Sequence, residues 1–359
     1  MKKYRLVREK VQETLEKLTT TARSESPSPT TSSTTDVEFL VSPLATKEEL
    51  LTTHDGAYIQ RFLDGDMTAE EQRNVGFPWS PEGVDRALSS VGGTVAAACY
   101  VCEQQQEDIV KRRRQRQDNS SNDPAAAELS AKEEQERLLP PSSSSSWAAH
   151  VAGGTHHAFR DYGEGFSVFS DIAVAANVVL QRYPSVVKNV LIVDLDVHQG
   201  NGNAVLFQNQ ENVFTFSVHC SGNYFSDKQD SDLDIELPIG CNDSTYLITL
   251  HHWLKKFQQQ HEAGNFDVDL ILFQAGVDIL KSDRLGRMDL SPEGVRRRNE
   301  LVYQFADNLQ VPLVVTMGGG YPNKIGADGK GEGWDEIIGT HANVYIQAYE
   351  YLDSKTKSV

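Results

Sequence analysis

Cysteine is scarce in this chain, with four residues in 359. That argues against a disulfide framework and fits a reducing compartment. Cys99 and Cys102 form a CxxC inside an apparent helix, but a zinc ribbon needs a second ligand pair, which is missing. Long hydrophobic runs are missing too. No apolar stretch approaches the roughly 20 residues that span a bilayer. The opening Met1-Lys2-Lys3-Tyr4-Arg5 leads into a charged amphipathic segment rather than a secretion signal. A nuclear or cytoplasmic protein without a membrane partner is expected. Basic charge is in deficit, 34 Lys and Arg against 51 Asp and Glu, for a net −17. This disfavours direct nucleic-acid binding and would attract cationic substrates, although solubility alone accounts for such acidity.

What is present is the composition of a globular protein, 39% hydrophobic and 24% charged. One large domain over 1–359 suffices for this length. Val7, Val11, Leu15 and Leu18 share one face of an opening helix. Two polar, low-complexity stretches are expected to leave the fold as disordered inserts, at 22–36 and 104–146. The second contains Lys111-Arg112-Arg113-Arg114, which reads either as a nuclear-import signal or as solvated charge.

From Trp147 onward, short β-branched or apolar runs alternate with helical patterns. Strands are expected at Val190–Val193, Val213–Val218, Leu270–Phe273 and Val311–Thr316. Ser291-Pro292 and Ser80-Pro81 are helix-start signals. The fold class is α/β, a three-layer α/β/α arrangement around a central, mostly parallel sheet.

The polar residues that follow these runs carry the chemistry, because ligands bind at the carboxyl ends of such strands. After Leu191-Ile192-Val193 come Asp194, Asp196 and His198, two apart and so facing one way in extended geometry. After Leu270-Ile271-Leu272-Phe273 comes Asp278, which could complete an Asp/His/Asp site. That donor set suits a catalytic zinc with an open position, and other divalent metals also fit. Gly153-Gly154-Thr155-His156-His157 and Gly318-Gly319-Gly320-Tyr321 place functional side chains beside glycines that permit tight turns. Gly163-Glu164-Gly165-Phe166 reads by itself as a turn. Taken singly, each of these polar residues is also what a helix cap or a structural histidine would look like.

With GGTHHAF, DLDVHQGNG, AGVD and GGGY in this order, the sequence resembles the histone deacetylase superfamily, of arginase/deacetylase fold. The runs AGVDILKSDRLGRMDLSPEGV and GFPWSPEGV look most like its class IV and bacterial deacetylase-like members. The resemblance covers nearly everything outside the two inserts. It implies zinc held by Asp196, His198 and Asp278, and His156 oriented by Asp194. His157, paired with Asn201, would be general base and acid, and Tyr321 would donate to an oxyanion. It also implies a structural potassium near Asp194, Ser217 and Val218, partly held by the carbonyls of Asp196 and His198. Gly165 and Phe166 would line the acyl-lysine channel, with Tyr224 or Phe225 opposite. Two departures stand out. Some members carry aspartate where Asn201 stands, and the family has another strand and a His-x-Phe-Pro-Met stretch ahead of the Lys-Tyr seen here at Lys3-Tyr4.

The implied activity is hydrolysis of an acylated lysine of histones or other proteins, alone or within a multiprotein complex, with polyamines and other small acylated amines as alternative substrates. A binuclear arginase-like ureohydrolase would need a second carboxylate where Leu280 stands. A non-catalytic acyl-lysine reader or scaffold would keep the fold without turnover.

Overall fold

The computed structural model describes residues 2–25, 37–120, 146–223, 227–323 and 333–353. Six strands form one sheet: β1 (Trp147–Ala149), β2 (Val190–Asp194), β3 (Val213–Cys220), β4 (Leu233–Leu237), β5 (Leu270–Gln274) and β6 (Leu313–Thr316). Their order is β1-β6-β5-β2-β3-β4, and every pairing is parallel. The sequence VLIVD of β2 and the sequence LILFQ of β5 are buried throughout, as strands covered on both faces must be.

Adjacent side chains along a strand go to opposite layers, and those two apart share one. Leu191, Val193, Ile271 and Phe273 join Val7, Val11, Leu15, Tyr303 and Ile337 on one face. Val190, Ile192, Leu270 and Leu272 join Tyr58, Ala98 and Ile172 on the other. Each such Leu, Ile or Phe contributes about 1.5–3 kcal/mol by leaving water. The α/β/α layering follows from this alternation. Of the four apolar positions on the opening helix α1 (Lys2–Glu25), three are buried while Leu18 stays 38% exposed.

All four expected strands form, with shifted ends. β6 begins at Leu313 because Pro312 has no N–H to donate to the ladder, although its carbonyl accepts from Ile271. β1 and β4 escaped the sequence reading. β1 is only three residues long, and β4 is an edge strand whose Asp234 and Glu236 break the apolar pattern.

Helix starts obey their capping residues. Thr46 and Thr68 form capping boxes at α2 (Lys47–Leu51) and α4 (Ala69–Val75), which flank α3 (Gly56–Asp64). Ser80 Oγ accepts from Gly83 N–H at the start of α5 (Pro81–Ser120). The remaining helices are α6 (Asp171–Arg182), α7 (Asn201–Phe207), α8 (Asp243–Glu262), α9 (Pro292–Leu309, capped by Ser291) and α10 (Trp334–Ala348), followed by a π-turn at Tyr349–Asp353.

The expected inserts need correction at their edges. α1 runs to Glu25, and α5 continues through 104–120 instead of looping out. Gln, Glu, Lys and Arg are good helix formers, and they propagate a helix already anchored by buried Val91, Val95, Ala98 and Val101. The rest of both inserts, 26–36 and 121–145, lies outside the described residues. Among the described residues no helix is long and apolar enough to cross a membrane.

Candidate active site

The carboxyl ends of β2 and β5 are neighbours, because these strands pair in register with Asp194 opposite Gln274. The turns that follow therefore meet. Asp196, His198 and Asp278 are all buried there, with one potential ligand atom from each within 4.8 Å of the others. His198 Nδ1 lies 3.1 Å from Asp196 Oδ1 and 3.3 Å from Asp278 Oδ2. Backbone amides hold the carboxylates in place. Val197 N–H donates to Asp278 Oδ1 at 2.9 Å, and Gly319 N–H donates to Asp196 Oδ2 at 2.8 Å.

Asp278 Oδ2 accepts no hydrogen bond although it is fully buried. Such an orphan is costly unless something cationic sits against it. Burial, together with the charge of Asp196, pushes Asp278 up to about 7. Burial would lower His198, but Asp196 and Asp278 outweigh it and raise the imidazole to about 10. Two carboxylates and an imidazole that converge in the interior, with one oxygen unclaimed, fit a divalent cation such as zinc.

The paired histidines stand beside this cluster, their rings 4.0 Å apart, centre to centre. His156 Nδ1 lies 2.7 Å from Asp194 Oδ2, and His157 Nδ1 lies 2.8 Å from Asn201 Oδ1. Their environments differ. Burial opposes the charged form of His156, yet Asp194 and Asp196 overcome it and bring the pKa to about 9. His157 is held well below its ordinary value by burial and by the positive neighbours His156 and His198.

Gly153 and Gly154 adopt φ of 76° and 82° to turn the chain into these histidines, and a Cβ on Gly154 would collide with Gln274 Oε1. Asp171 clamps the turn. One of its oxygens accepts from Gly154 N–H and the Thr94 hydroxyl, the other from Thr155 N–H and the Thr155 hydroxyl.

Tyr321 is carried in by the glycines after β6. Its backbone N–H donates to Asp283 Oδ2, and the Asp283 carboxylate also takes the amides of Leu285 and Gly286. Burial, with Asp196 and Asp278 nearby, raises the phenol well above its ordinary pKa, so it stays protonated and able to donate. Across from it, Phe166 sits at φ 65° with its ring 6.0 Å from that of Tyr321. Gly165 and Phe166 are pinned by N–H bonds to the carbonyls of Asn74 and Val75. His156, His157, Gly165, Phe166, Asp196 and Tyr321 line one cavity of about 390 Å³.

The remaining expected residues fall as follows. Ser217 pairs with Asp194 across β2 and β3 and contacts His219 Nδ1 at 2.9 Å, and Val218 is buried beside it. Tyr224 and Phe225 lie outside the described residues. Four supporting residues were missed: Asp171, Gln274, Asp283 and Asn223. Ser170-Asp171 reads as a helix cap, a role Ser170 does fill. Gln274 Nε2 donates to Gly154 O, and Asn223 Nδ2 contacts His198 Nε2 at 3.4 Å. Only the Ser-Asp-Arg run that carries Asp283, inside an already notable stretch, offered a signal in the sequence.

Comparison with known proteins places these features. Residues 5–335 match the histone deacetylase domain. An uncharacterized protein of Picosynechococcus sp. is 36% identical over 272 residues, 76% of this chain and 75% of that one. Histone deacetylase 2 of Arabidopsis thaliana is 33% identical over 178 residues, 49% of this chain and 44% of that protein. Histone deacetylase RPD3 of Saccharomyces cerevisiae is 30% identical over 185 residues, 48% and 40% of the two chains. The matches thus span under half the length of these two deacetylases. The crystal structure of an HDAC homolog complexed with SAHA shares the fold, with a TM-score of 0.58 at 19% identity over 88% of this chain and 75% of that one. With its domain match and its three-layer sheet, this chain belongs to the histone deacetylase family of hydrolases.

Proposed function

We propose that the chain is a zinc-dependent deacylase that hydrolyses acylated lysine side chains of proteins. The observation that carries this reading is the buried Asp196/His198/Asp278 cluster, whose Asp196 lines the same cavity as His157 and Tyr321. Bound by these three residues, zinc would polarise the acyl carbonyl and acidify water.

The chain's own residues supply the remaining steps. Asn201 Oδ1 accepts from His157 Nδ1–H, which leaves a lone pair on Nε2 to take a proton from the attacking water. The Tyr321 phenol donates to the carbonyl oxygen as it gains negative charge, a contribution of roughly 3 kcal/mol for a well-placed donor. His157 then returns its proton to the departing amine. The products are a free lysine amine and a carboxylate. His156, tied to Asp194, supports the site electrostatically. Gly165 and Phe166 would flank the aliphatic stem of the lysine.

A structural potassium near Asp194 and Ser217 belongs to the same proposal, as does placement in the class IV-like branch on the strength of AGVDILKSDRLGRMDLSPEGV. The cavity lining disfavours polyamines. Among the described residues it carries Lys3, Arg86 and Arg284 against the single acid Asp196, so the second ammonium of a polyamine would meet like charge there.

The test is acid release from acetyl-lysine and longer acyl-lysine peptides by the zinc-loaded chain, with a chelator control. Chelator-sensitive release supports a deacylase. Tight peptide binding with intact substrate would replace this reading with that of a non-catalytic acyl-lysine reader.

A further inference from the structure

Among the described residues Arg298, on α9, is the largest of the fully buried side chains, and no carboxylate there makes an ion pair with it, Asp278 and Asp196 acting on it only from a distance. Its donors go to backbone carbonyls instead. Nη1 reaches Gly276 O at 2.6 Å and Leu195 O at 3.4 Å, while Nη2 reaches Ala275 O at 3.3 Å. Nε and Nη2 also donate to Asn299 Oδ1, at 3.0 and 2.8 Å, and the guanidinium lies 5.4 Å from the centre of the Phe273 ring.

The placement of those carbonyls gives the contact its meaning. Leu195 immediately precedes Asp196, and Ala275-Gly276 end two residues before Asp278. One planar fork therefore ties together the two turns that carry the carboxylates of the site. Burying a cation without a counter-ion is unfavourable, and an aliphatic side chain would fill this space without that cost. A rigid fork of donors is the one thing arginine offers here that neither an aliphatic residue nor lysine can supply. The fork is itself braced, because Asn299 Nδ2 donates to Gln347 Oε1 on α10 at 3.0 Å.

We infer that Arg298 is a positioning residue for the metal site, whose fork fixes the Asp196 turn against the Asp278 turn and so sets the separation of their carboxylates. This rests on the reading of Asp196, His198 and Asp278 as metal ligands.

The experiment titrates cobalt(II) into the chelator-treated full chain and follows both affinity and the visible absorption that reports ligand arrangement. Arg298→Lys keeps the charge but loses the fork, so cobalt affinity should fall roughly 10–100-fold, as for other residues that orient ligands, and the band should shift. Arg298→Met should behave alike. Should neither variant fold, Gln347→Leu decides, because it removes the brace on Asn299, along with one long bond from Gln347 Nε2 to Arg296 O at 3.4 Å, and leaves the bonds of the fork itself in place. It should weaken cobalt binding several-fold and move the band the same way. Parental affinity and spectrum in a folded Arg298 variant, or in Gln347→Leu if neither Arg298 variant folds, overturn the inference. So does full rescue by Lys, which would make charge alone responsible. An unmodified chain that binds no cobalt would instead sink the metal reading beneath it.

Discussion

Asn201 faces His157 with its oxygen: Oδ1 lies 2.8 Å from the imidazole Nδ1, while the amide nitrogen of the same side chain reaches Glu164 Oε1. Gly202 N–H donates to the same Oδ1. The amide therefore has one orientation, and His157 must carry its proton on Nδ1. Replacing Asn201 with Leu removes this constraint and should lower kcat by roughly 10²-fold, the scale of a misaligned general base. Asn201→Asp, which still accepts, should stay within about tenfold of the parent. Steady-state kinetics at equal zinc content check both. Unchanged kcat in Asn201→Leu would remove His157 from the role of base.

Gly319 and Tyr321 are two residues apart in GGGY but should fail in different ways. A Cβ on Gly319 would sit 2.0 Å from Asp278 Oδ2 and 2.7 Å from Asp196 Oδ2. Gly319→Ala should therefore displace the carboxylates and lose bound zinc. Tyr321→Phe keeps every ligand and should retain zinc while turnover falls by about 10²–10³-fold. Metal analysis beside kinetics separates the two outcomes. Full zinc content in Gly319→Ala would mean that the carboxylates do not hold the ion as proposed.

Why some of this site could be read from the sequence, and some could not, follows from distance along the chain. Asp194, Asp196 and His198 lie in one short run at the end of an apolar strand, so nearness along the chain keeps them together although β2 stops at Asp194 and the backbone then turns. Asp278 also follows a readable strand, but that β5 lies beside β2 is a matter of topology. Asp171 acts on amides 16 and 17 residues away, and nothing local distinguishes it from a cap, while the contact of Asp283 with the Tyr321 amide spans 38 residues that its local bonds to Leu285 and Gly286 do not reveal. Arg298 is hidden by its neighbours. In the run Arg296-Arg297-Arg298 the first two make surface ion pairs with Glu293, as a charged face would, and only the third turns inward. The far half of α5 was misjudged for a related reason, since charge-rich composition describes an exposed helix as well as it describes a disordered insert.

His54 should make the fold acid-sensitive away from the candidate metal site. Its Nε2 accepts from Ser170 N–H at 3.0 Å, so its Nδ1 must be the nitrogen that donates to Phe159 O at 2.9 Å. The ring thus joins both ends of the loop that contains Phe166, and it does so only while neutral. Burial lowers its pKa to about 4, against backbone hydrogen bonding that favours the charged form. Between about pH 6.5 and 4 the unfolded chain binds a proton that the folded chain refuses. The contribution is complete above pH 6.5 and lost as pH falls through this window, about 3 kcal/mol in all. His150, also buried and lowered to about 4, adds in the same direction. Urea unfolding from pH 7.5 to 4.5 should show the decline, and His54→Gln should make it shallower. An equally steep decline in the variant would show that His54 is not one of the titrating groups.

The cationic lining of the cavity gives a test of substrate class. Lys3, Arg86 and Arg284 reach it in a protein that is otherwise strongly acidic. Lys3 is committed to Gly320 O, and the Arg86 guanidinium lies 4.5 Å from the centre of the Phe77 ring. Arg86 is half-buried and has no ion-pair partner among the described residues, so its charge is felt by whatever enters. An acetylated diamine brings a second ammonium into that field, whereas a peptide keeps its backbone outside. Reversing the charge with Arg86→Glu should raise kcat/KM for a monoacetylated diamine relative to an acetyl-lysine peptide by about tenfold at low salt, since each exposed charge contact is worth about 1 kcal/mol or less and reversal counts it twice. The gain should shrink as ionic strength rises and the Debye length shortens. A ratio that does not move, or moves equally at high salt, would show that Arg86 takes no part in excluding polyamines.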